Sequence, residues 1–177
     1  MTLEQNLCGV VPEMLLKLGV TSAALSLNYP LSTLCRMFGQ AMSMAEMQKA
    51  LEAFSREHAS VYGPIAVAPH EEGFCLTVPP EGAAYIYRSA PNTPFLRELI
   101  AQAQSPACTE ESLIAVFRRH SPRVCIVPMR NAEFDTLVYF EDGQPDAFYY
   151  CLHAHDGHVT YHRFSKEDYE AFGFEQA

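Results

Sequence analysis

From Arg123 onward the apolar residues recur at every second position, whereas many of those before it recur at helical spacing. This change in the spacing of apolar residues is the feature that most constrains the fold. Apolar and polar residues that alternate in short runs predict strands with one buried face. Four such strands are predicted, over residues 124–127, 134–141, 147–154 and 159–164. Glu-Asp-Gly-Gln and His-Asp-Gly-His join the last three strands, and an Asp-Gly pair favours a two-residue turn. The sequence therefore predicts an antiparallel meander, followed by a short helix that Ser165 and Asp168 cap.

The first half of the chain alternates helical and strand signals instead. Residues 2–5 and 43–46 each have the form of a helix capping box. The first box predicts a helix that breaks or kinks at Pro12, because proline removes a backbone hydrogen bond. The second predicts a helix over residues 43–58 with methionine and phenylalanine at helical spacing, which is typical of a face packed on a core.

A two-stranded ribbon follows these helices. Its strands are predicted at residues 65–67 and 74–78, with a loop over residues 69–73 between them. We expect Pro79-Pro80-Glu81-Gly82 to turn the chain away after the ribbon. A short strand at residues 24–27 and a helix over residues 30–37 are predicted between the first two helices. Helix, short strand, helix, helix and ribbon is the element order of a winged-helix module.

These signals predict an α+β protein in two parts. Residues 89–93, Ser-Ala-Pro-Asn-Thr, form a polar, proline-containing joint of the kind found between subdomains. Residues 1–88 are predicted to form a winged-helix-like α/β subdomain. Residues 89–177 are predicted to form an α+β subdomain with two helices, the four-stranded antiparallel meander and a short C-terminal helix. A single compact unit of both parts is the alternative.

The net charge of −9 limits which partners the chain binds. A field of this sign repels phosphate backbones and anionic membrane surfaces. The helix over residues 43–58 would contact DNA in a winged-helix protein, but its three glutamates outnumber Lys49 and Arg56. We therefore expect a protein partner, and neither nucleic acid nor membrane.

The cysteines and the first residues of the chain indicate the cellular compartment of the protein. Six cysteines are scattered without any Cys-x-x-Cys pair, which indicates reduced thiols and not a disulfide framework. The chain opens without a basic cluster, and no apolar stretch approaches the ~18 residues that span a bilayer. These patterns predict a cytoplasmic protein.

Four stretches of the sequence resemble a known family. They are Asn28-Tyr-Pro-Leu-Ser-Thr-Leu with Gly39, Phe74-Cys-Leu-Thr-Val-Pro-Pro-Glu-Gly, Leu137-Val-Tyr-Phe-Glu-Asp-Gly-Gln-Pro-Asp and Tyr161-His-Arg-Phe-Ser-Lys-Glu-Asp-Tyr-Glu-Ala-Phe-Gly-Phe. Together they are similar to a family of small proteins from anaerobic gut bacteria that is labelled a domain of unknown function. The resemblance spans nearly the whole chain. It implies a bacterial cytoplasmic protein and transfers no catalytic residue.

One group of residues has the side-chain types that bind transition metals. If His155-Asp-Gly-His158 is a two-residue turn, residue 155 faces 158, residue 153 faces 160 and residue 151 faces 162. Because side chains alternate along a strand, one face then carries Cys151, His153, His155, His158 and His162. Imidazole and thiolate suit zinc first, then nickel or copper. The alternative is a solvent-facing or helix-covered strand face that happens to carry histidine, and a one-residue slip would abolish the group.

A cysteine nucleophile is a second chemical possibility on the same hairpin. Cys151 would lie opposite His162 as the base, with Asp156 or Asp135 to orient it. No nucleophile motif or oxyanion turn accompanies these residues.

Arginines gather near the end of the helix that Thr109 caps. Arg118, Arg119, Arg123 and Arg130 could together hold an anion or a phosphorylated ligand. The alternative is that the first two only complement the dipole at the end of that helix.

Two functional hypotheses follow from the sequence. The first is a non-enzymatic interaction or regulatory module of a bacterial cytoplasm, with a protein partner. The alternative is a metal-dependent enzyme that uses the histidine-rich C-terminal hairpin.

Overall fold

The computed structural model describes residues 1–129, 133–155 and 158–173. These residues form seven helices and two antiparallel sheets, so the predicted α+β class is confirmed. Among them, no helix combines the length and the apolar character needed to cross a lipid bilayer. Backbone contacts divide the chain into two compact units, Met1–Ala90 and Pro91–Ala177. Whether the two predicted parts are independent domains stays a prediction.

Unit 1, which comprises residues 1–90, contains a three-stranded sheet and four helices. Its elements are α1 (Leu3–Leu18), β1 (Leu25–Pro30), α2 (Leu31–Phe38), α3 (Met44–Tyr62), β2 (Ala66–His70), β3 (Gly73–Val78) and α4 (Pro80–Ser89). Both predicted capping boxes are confirmed. Thr2 Oγ1 accepts from the Gln5 backbone N–H at 3.2 Å, and Ser43 Oγ accepts from the Glu46 backbone N–H at 3.4 Å. These hydrogen bonds satisfy backbone donors at the starts of α1 and α3.

The sheet of unit 1 has the strand order β1-β3-β2 and buries one face. Every second residue of β1 is buried, as expected for a strand with one face on a core. The buried pairs that β1 forms with β3 are Leu25 with Val78, Leu27 with Leu76 and Tyr29 with Phe74. Leu7, Val11 and Leu15 of α1 are fully buried in the same core. The apolar stripe of α1 is therefore buried in the same core as the inner face of the sheet.

Three local predictions for unit 1 differ from the structure. Helix α1 does not break at Pro12, which is itself buried in the core, and the alternative of a kink there stays a prediction. Strands β2 and β3 extend until only Glu71 and Glu72 connect them, with Glu71 at a φ of 49°. Pro79 and Pro80 do not turn the chain away but begin α4, because the missing N–H of proline costs nothing in the first turn of a helix.

Gly82, in the first turns of α4, leads to the first testable prediction. A Cβ atom added there would lie 1.9 Å from the carbonyl oxygen of Tyr62, at the end of α3. Alanine normally stabilises a helix relative to glycine, but here the backbones must move apart. We expect Gly82→Ala to lower the free energy of unfolding by about 1–3 kcal/mol. Urea unfolding measures this change, and the exposed Arg88→Ala in the same helix is the control. A stabilised Gly82→Ala variant would contradict the close approach of α3 and α4.

Unit 2, which comprises residues 91–177, contains the predicted meander. Its elements are α5 (Thr93–Ala103), α6 (Glu110–His120), β4 (Val124–Pro128), β5 (Thr136–Phe140), β6 (Tyr149–His155), β7 (His158–Phe164) and α7 (Lys166–Phe172). The strand order β4-β5-β6-β7 with antiparallel pairing confirms the meander. Helix α7 is capped as predicted, since Ser165 Oγ accepts from the Asp168 backbone N–H at 3.0 Å.

The connection between β5 and β6 differs from the prediction. Strand β5 ends at Phe140 and β6 begins at Tyr149, so a loop over residues 141–148 replaces the expected two-residue turn. Gly143 has a φ of 68°, as a turn requires. Pro145 has no N–H to donate to a strand ladder, and β6 therefore begins only after it.

Aromatic rings fill the space between the sheet of unit 2 and its helices. The ring of Phe95, on α5, lies 4.9 Å from that of Phe117, 5.0 Å from that of Phe140 and 5.8 Å from that of Tyr150, measured between centroids. All three contacts are edge-to-face, which is a favourable arrangement for aromatic rings. One face of the meander is thereby buried under α5 and α6.

A polar network is buried on this same face. The carboxylate of Asp146 accepts a hydrogen bond from Arg163 Nη2 at 2.6 Å and one from the Tyr150 hydroxyl. The Asn92 side-chain amide donates to the other oxygen of Asp146 at 3.4 Å. The guanidinium carbon of Arg163 lies 4.1 Å from the centroid of the Phe148 ring. The two charged side chains are only 2% and 5% exposed, so their charges compensate each other away from water.

Candidate functional site

The histidine-bearing face of the β6–β7 hairpin has the register predicted from the sequence. Cys151 pairs with His162, His153 with Thr160 and His155 with His158. These six side chains therefore project from the face opposite the Asp146 and Arg163 network. Asp156 and Gly157, on which the predicted two-residue turn falls, lie outside the described residues.

The inner end of this face is apolar. Cys151 is fully buried in a cluster with Phe134, Leu137 and Tyr169, the last of which comes from α7. Burial raises the pKa of the Cys151 thiol to about 12, so the sulfur is a neutral thiol at physiological pH. A thiol in this state is a poor nucleophile and a poor metal ligand. The geometry therefore does not favour the predicted pairing of a Cys151 nucleophile with His162.

His162, which pairs with Cys151, lies at the edge of the apolar cluster. Its ring is 5.3 Å from that of Phe134 between centroids, and the residue is exposed. The imidazole thus covers Phe134 while it remains in contact with water.

The outer end of the face carries three histidines and an aspartate. His155 and His158 are exposed and lie opposite each other as the last described pair of the hairpin. The ring of His153 lies 5.9 Å from that of His155, with 12° between the ring planes. Asp135 Oδ2 lies 3.3 Å from His153 Nδ1. We call these four residues the histidine tip.

Asp135 was not among the predicted metal ligands. It directly precedes β5, whose first residue, Thr136, pairs with Leu152. Its backbone N–H donates to the Leu152 carbonyl, and its Oδ2 accepts from the Ala154 N–H at 2.8 Å. These two hydrogen bonds hold the carboxylate beside β6, where it meets His153. Only the register between β5 and β6 could have identified this contact.

The predicted metal site stays a prediction. Within residues 1–129, 133–155 and 158–173, no group of three or more histidine, cysteine, aspartate or glutamate side chains is already arranged around a common point as metal ligands. The backbone nevertheless brings the predicted histidines to one face of one hairpin.

The predicted arginine cluster is partly paired with carboxylates. Arg119 Nη2 lies 2.5 Å from Glu98 Oε1, and His120 Nε2 lies 2.7 Å from Glu98 Oε2. Burial alone would raise the pKa of Glu98, but hydrogen bonds from His120 and Arg119 lower it below its usual value. Arg123 Nη1 is 3.6 Å from Asp142 Oδ2, and Arg118 is exposed.

The anion site therefore stays a prediction, for which the described chain gives no added support. Arg119 and Arg123 each face a carboxylate that competes with an anion. Arg130 lies outside the described residues.

The surface that α3 and the β2–β3 hairpin present in unit 1 is acidic. Charged side chains alternate in sign along the exposed side of α3: Glu46, Lys49, Glu52, Arg56 and Glu57. Glu71 and Glu72 form the tip of the hairpin, and both are exposed. Between α3 and β2 lies an open cavity of about 310 Å³, lined by Glu52, Ser55, Arg56, Ile65 and Val67.

These features define an α+β protein with two antiparallel sheets, an acidic helix-and-hairpin surface and a histidine-bearing strand face. The family model described as "Domain of unknown function, E. rectale Gene description (DUF3877)" matches residues 1–173. The chain belongs to this family, and the resemblance to a family of gut anaerobes is confirmed. No curated protein and no solved structure matches the chain.

Proposed function

We propose that the chain is a non-enzymatic interaction or regulatory protein, in which residues 1–90 form a winged-helix-like module that binds a protein partner. The topology of unit 1 carries this proposal. Its elements follow the order α1, β1, α2, α3, β2, β3, and its strands lie in the order β1-β3-β2. In DNA-binding proteins that contain a helix-turn-helix, the second helix of this motif contacts the DNA. Here that helix is α3, and the hairpin beside it supplies the rest of the surface.

The charge of this surface favours a protein over nucleic acid. Duplex binding depends on Lys and Arg side chains that displace counterions from phosphates. Helix α3 instead exposes three glutamates against Lys49 and Arg56, and the hairpin tip consists of Glu71 and Glu72. A phosphate backbone would be repelled at both elements.

The cavity beside α3 indicates which kind of side chain a protein partner would insert. Its lining combines two apolar side chains, Ile65 and Val67, with the charged side chains of Glu52 and Arg56. Ser55 Oγ is already engaged, because it donates to the Ile65 carbonyl at 2.8 Å. We therefore propose a protein partner that inserts an apolar side chain here and presents basic residues to Glu71 and Glu72.

We expect no measurable binding of duplex DNA at physiological salt. The measurement is fluorescence anisotropy of labelled random-sequence and genomic fragments, titrated with the full chain at ~150 mM salt. A repeat at ~20 mM salt controls for weak electrostatic association. Micromolar or tighter binding that falls steeply with salt would contradict the proposal and favour a transcription factor.

The partner is tested by charge reversal at the hairpin tip. Immobilised wild-type chain and a Glu71→Lys, Glu72→Lys variant are compared for the proteins that each retains from a lysate of the source bacterium. The matched control is Glu141→Lys, Glu170→Lys, which changes the net charge equally at exposed positions of unit 2. We expect a basic partner that the control retains and the hairpin variant loses. If every retained protein is indifferent to Glu71 and Glu72, the proposed surface is wrong.

A metal-dependent enzyme is the second candidate. The observation that favours it is the contact between Asp135 and His153, because a carboxylate commonly orients a histidine that binds a metal. If this candidate is right, activity against a panel of ester, amide and phosphate substrates should appear with added zinc and disappear in the His153→Ala variant.

A further inference from the structure

We propose that the histidine tip binds one divalent transition-metal ion of the zinc class. The ligands are His153, His155 and His158, and Asp135 is a positioning residue that holds His153. This inference goes beyond the proposed protein interaction and does not depend on it. It also changes the predicted ligand set, since Cys151 and His162 leave it and Asp135 joins in a supporting role.

The spacing of the imidazoles is close to what a shared metal ion needs. Two imidazoles on one zinc ion, with Zn–N bonds of about 2.0 Å and a near-tetrahedral angle, have centroids roughly 5 Å apart. The rings of His153 and His155 are 5.9 Å apart. They lie 12° from parallel, so one ring must turn about its Cβ–Cγ bond before both nitrogens reach one ion. His155 is exposed, so solvent leaves room for this rotation.

His158 completes the group from the neighbouring strand. It is the direct partner of His155 in the ladder, and the side chains of such pairs start about 4.5–5.5 Å apart at Cβ. His153 precedes His155 by two residues and projects from the same face. Three imidazoles therefore start from adjacent positions on one face at the end of the hairpin, and rotation of their side chains would bring them to one ion. A water molecule or a partner side chain would fill the fourth position of a zinc site.

The environment of His153 is the second, independent observation. Its Nδ1 atom is buried and has no aligned hydrogen-bond partner in the described part of the chain, although the side chain as a whole is 36% exposed. The nearest acceptor is Asp135 Oδ2, at 3.3 Å. A small rotation of the ring would align Nδ1–H with this carboxylate, which fixes the tautomer that leaves Nε2 to bind a metal. The ring rotation that accompanies metal binding at Nε2 would thus pair the buried Nδ1 atom with Asp135.

The chemistry of the donors selects the metal. Three neutral imidazoles suit zinc, nickel or copper, and they do not suit magnesium or calcium, which prefer oxygen ligands. The thiol of Cys151 stays outside the site, because it is fully buried in the apolar cluster with Phe134 and Tyr169. His162 stays outside as well, since its ring packs beside Phe134.

The test is a titration of the untagged, metal-free, full-length chain with zinc sulfate, followed by calorimetry. We expect one zinc ion per chain with micromolar or tighter affinity. Substituting cobalt for zinc should give visible absorption typical of a tetrahedral site, without the near-ultraviolet band that a thiolate ligand adds. A thiolate band would show that a cysteine binds the metal and would overturn the ligand set.

Variants assign the ligands. We expect His155→Ala and His158→Ala each to weaken zinc binding at least tenfold, and Asp135→Asn to weaken it about 10–100-fold. His162→Ala and His70→Ala, the latter an exposed histidine of unit 1, are matched controls that should leave the affinity unchanged. Circular dichroism checks that each variant is folded. The proposal is overturned if the chain binds no zinc, if binding survives both His155→Ala and His158→Ala, or if His162→Ala removes it.

Discussion

Replacing Asp146 by alanine should lower the free energy of unfolding of residues 91–177 by about 3–5 kcal/mol, the typical effect of breaking a buried ion pair. The guanidinium of Arg163 is 5% exposed and would lose the carboxylate that compensates its charge. The Tyr150 hydroxyl and the Asn92 amide would lose an acceptor at the same time. Urea titration followed by hydrogen exchange of peptides from residues 91–177 measures the effect within this unit.

A second substitution separates the charge from the lost packing. Combining Asp146→Ala with Arg163→Met removes the uncompensated charge while keeping an apolar side chain over the Phe148 ring. We expect the double variant to be more stable than Asp146→Ala alone, because the two positions are coupled. If Arg163→Met destabilises the wild type and the Asp146→Ala variant by the same amount, the pair is not coupled and the argument fails.

Replacing Phe95 by alanine should have an effect of similar size on unit 2. The side chain is fully buried, and its ring contacts Phe117, Phe140 and Tyr150, so its removal leaves a cavity between the helices and the sheet. Truncation of a buried phenylalanine typically costs about 3–5 kcal/mol. The same unfolding measurement applies to this variant.

The control for Phe95 is an exposed phenylalanine of the same unit. Phe172, at the end of α7, is 64% exposed, and we expect Phe172→Ala to change the free energy of unfolding by no more than about 0.5 kcal/mol. Equal effects of the two substitutions would show that Phe95 is not at the centre of the core.

The features that could be predicted from the sequence are those that neighbouring residues determine. Ser43 and Glu46 are one helical turn apart, so their hydrogen bonds mark the start of α3 in any protein that forms this helix. The pairing of His155 with His158 likewise depends on the two residues between them. Local signals therefore predicted the helix start, the meander and the shared histidine face.

The features that escaped prediction depend on contacts between distant parts of the chain. Pro80 occurs in turns as well as in the first turn of helices, and the packing of α4 on α1 and α3 decides between them. Asp135 meets His153 only because β5 and β6 pair in a particular register across an irregular loop. No sequence pattern indicates that register.

The candidate site likewise has one feature that local sequence determines and one that depends on distant parts of the chain. Alternation along the strand placed Cys151 on the face of the histidines, but it could not show that Tyr169 and Phe134 cover that position. The burial that raises the pKa of the thiol comes from Phe134, Leu137 and Tyr169, which are 14 or more positions away in sequence. The sequence therefore predicted which residues lie on this face, but it did not predict how deeply each side chain is buried there.

The two faces of the β6–β7 hairpin differ in burial, so exposed side chains on one face can be replaced while the backbone stays in place. Tyr150 and Arg163 are opposite each other on the buried face, and a one-residue slip would move both into water. The register of the hairpin is thus held by the face that carries no histidine, together with the apolar cluster around Cys151 at the inner end of the other face. Exposed positions such as His155 and His158 can accept other side chains without moving the backbone beneath them. Members of one family can therefore differ in what they bind at this face while they share one fold, and the same positions are open to a designer who wishes to install other ligands.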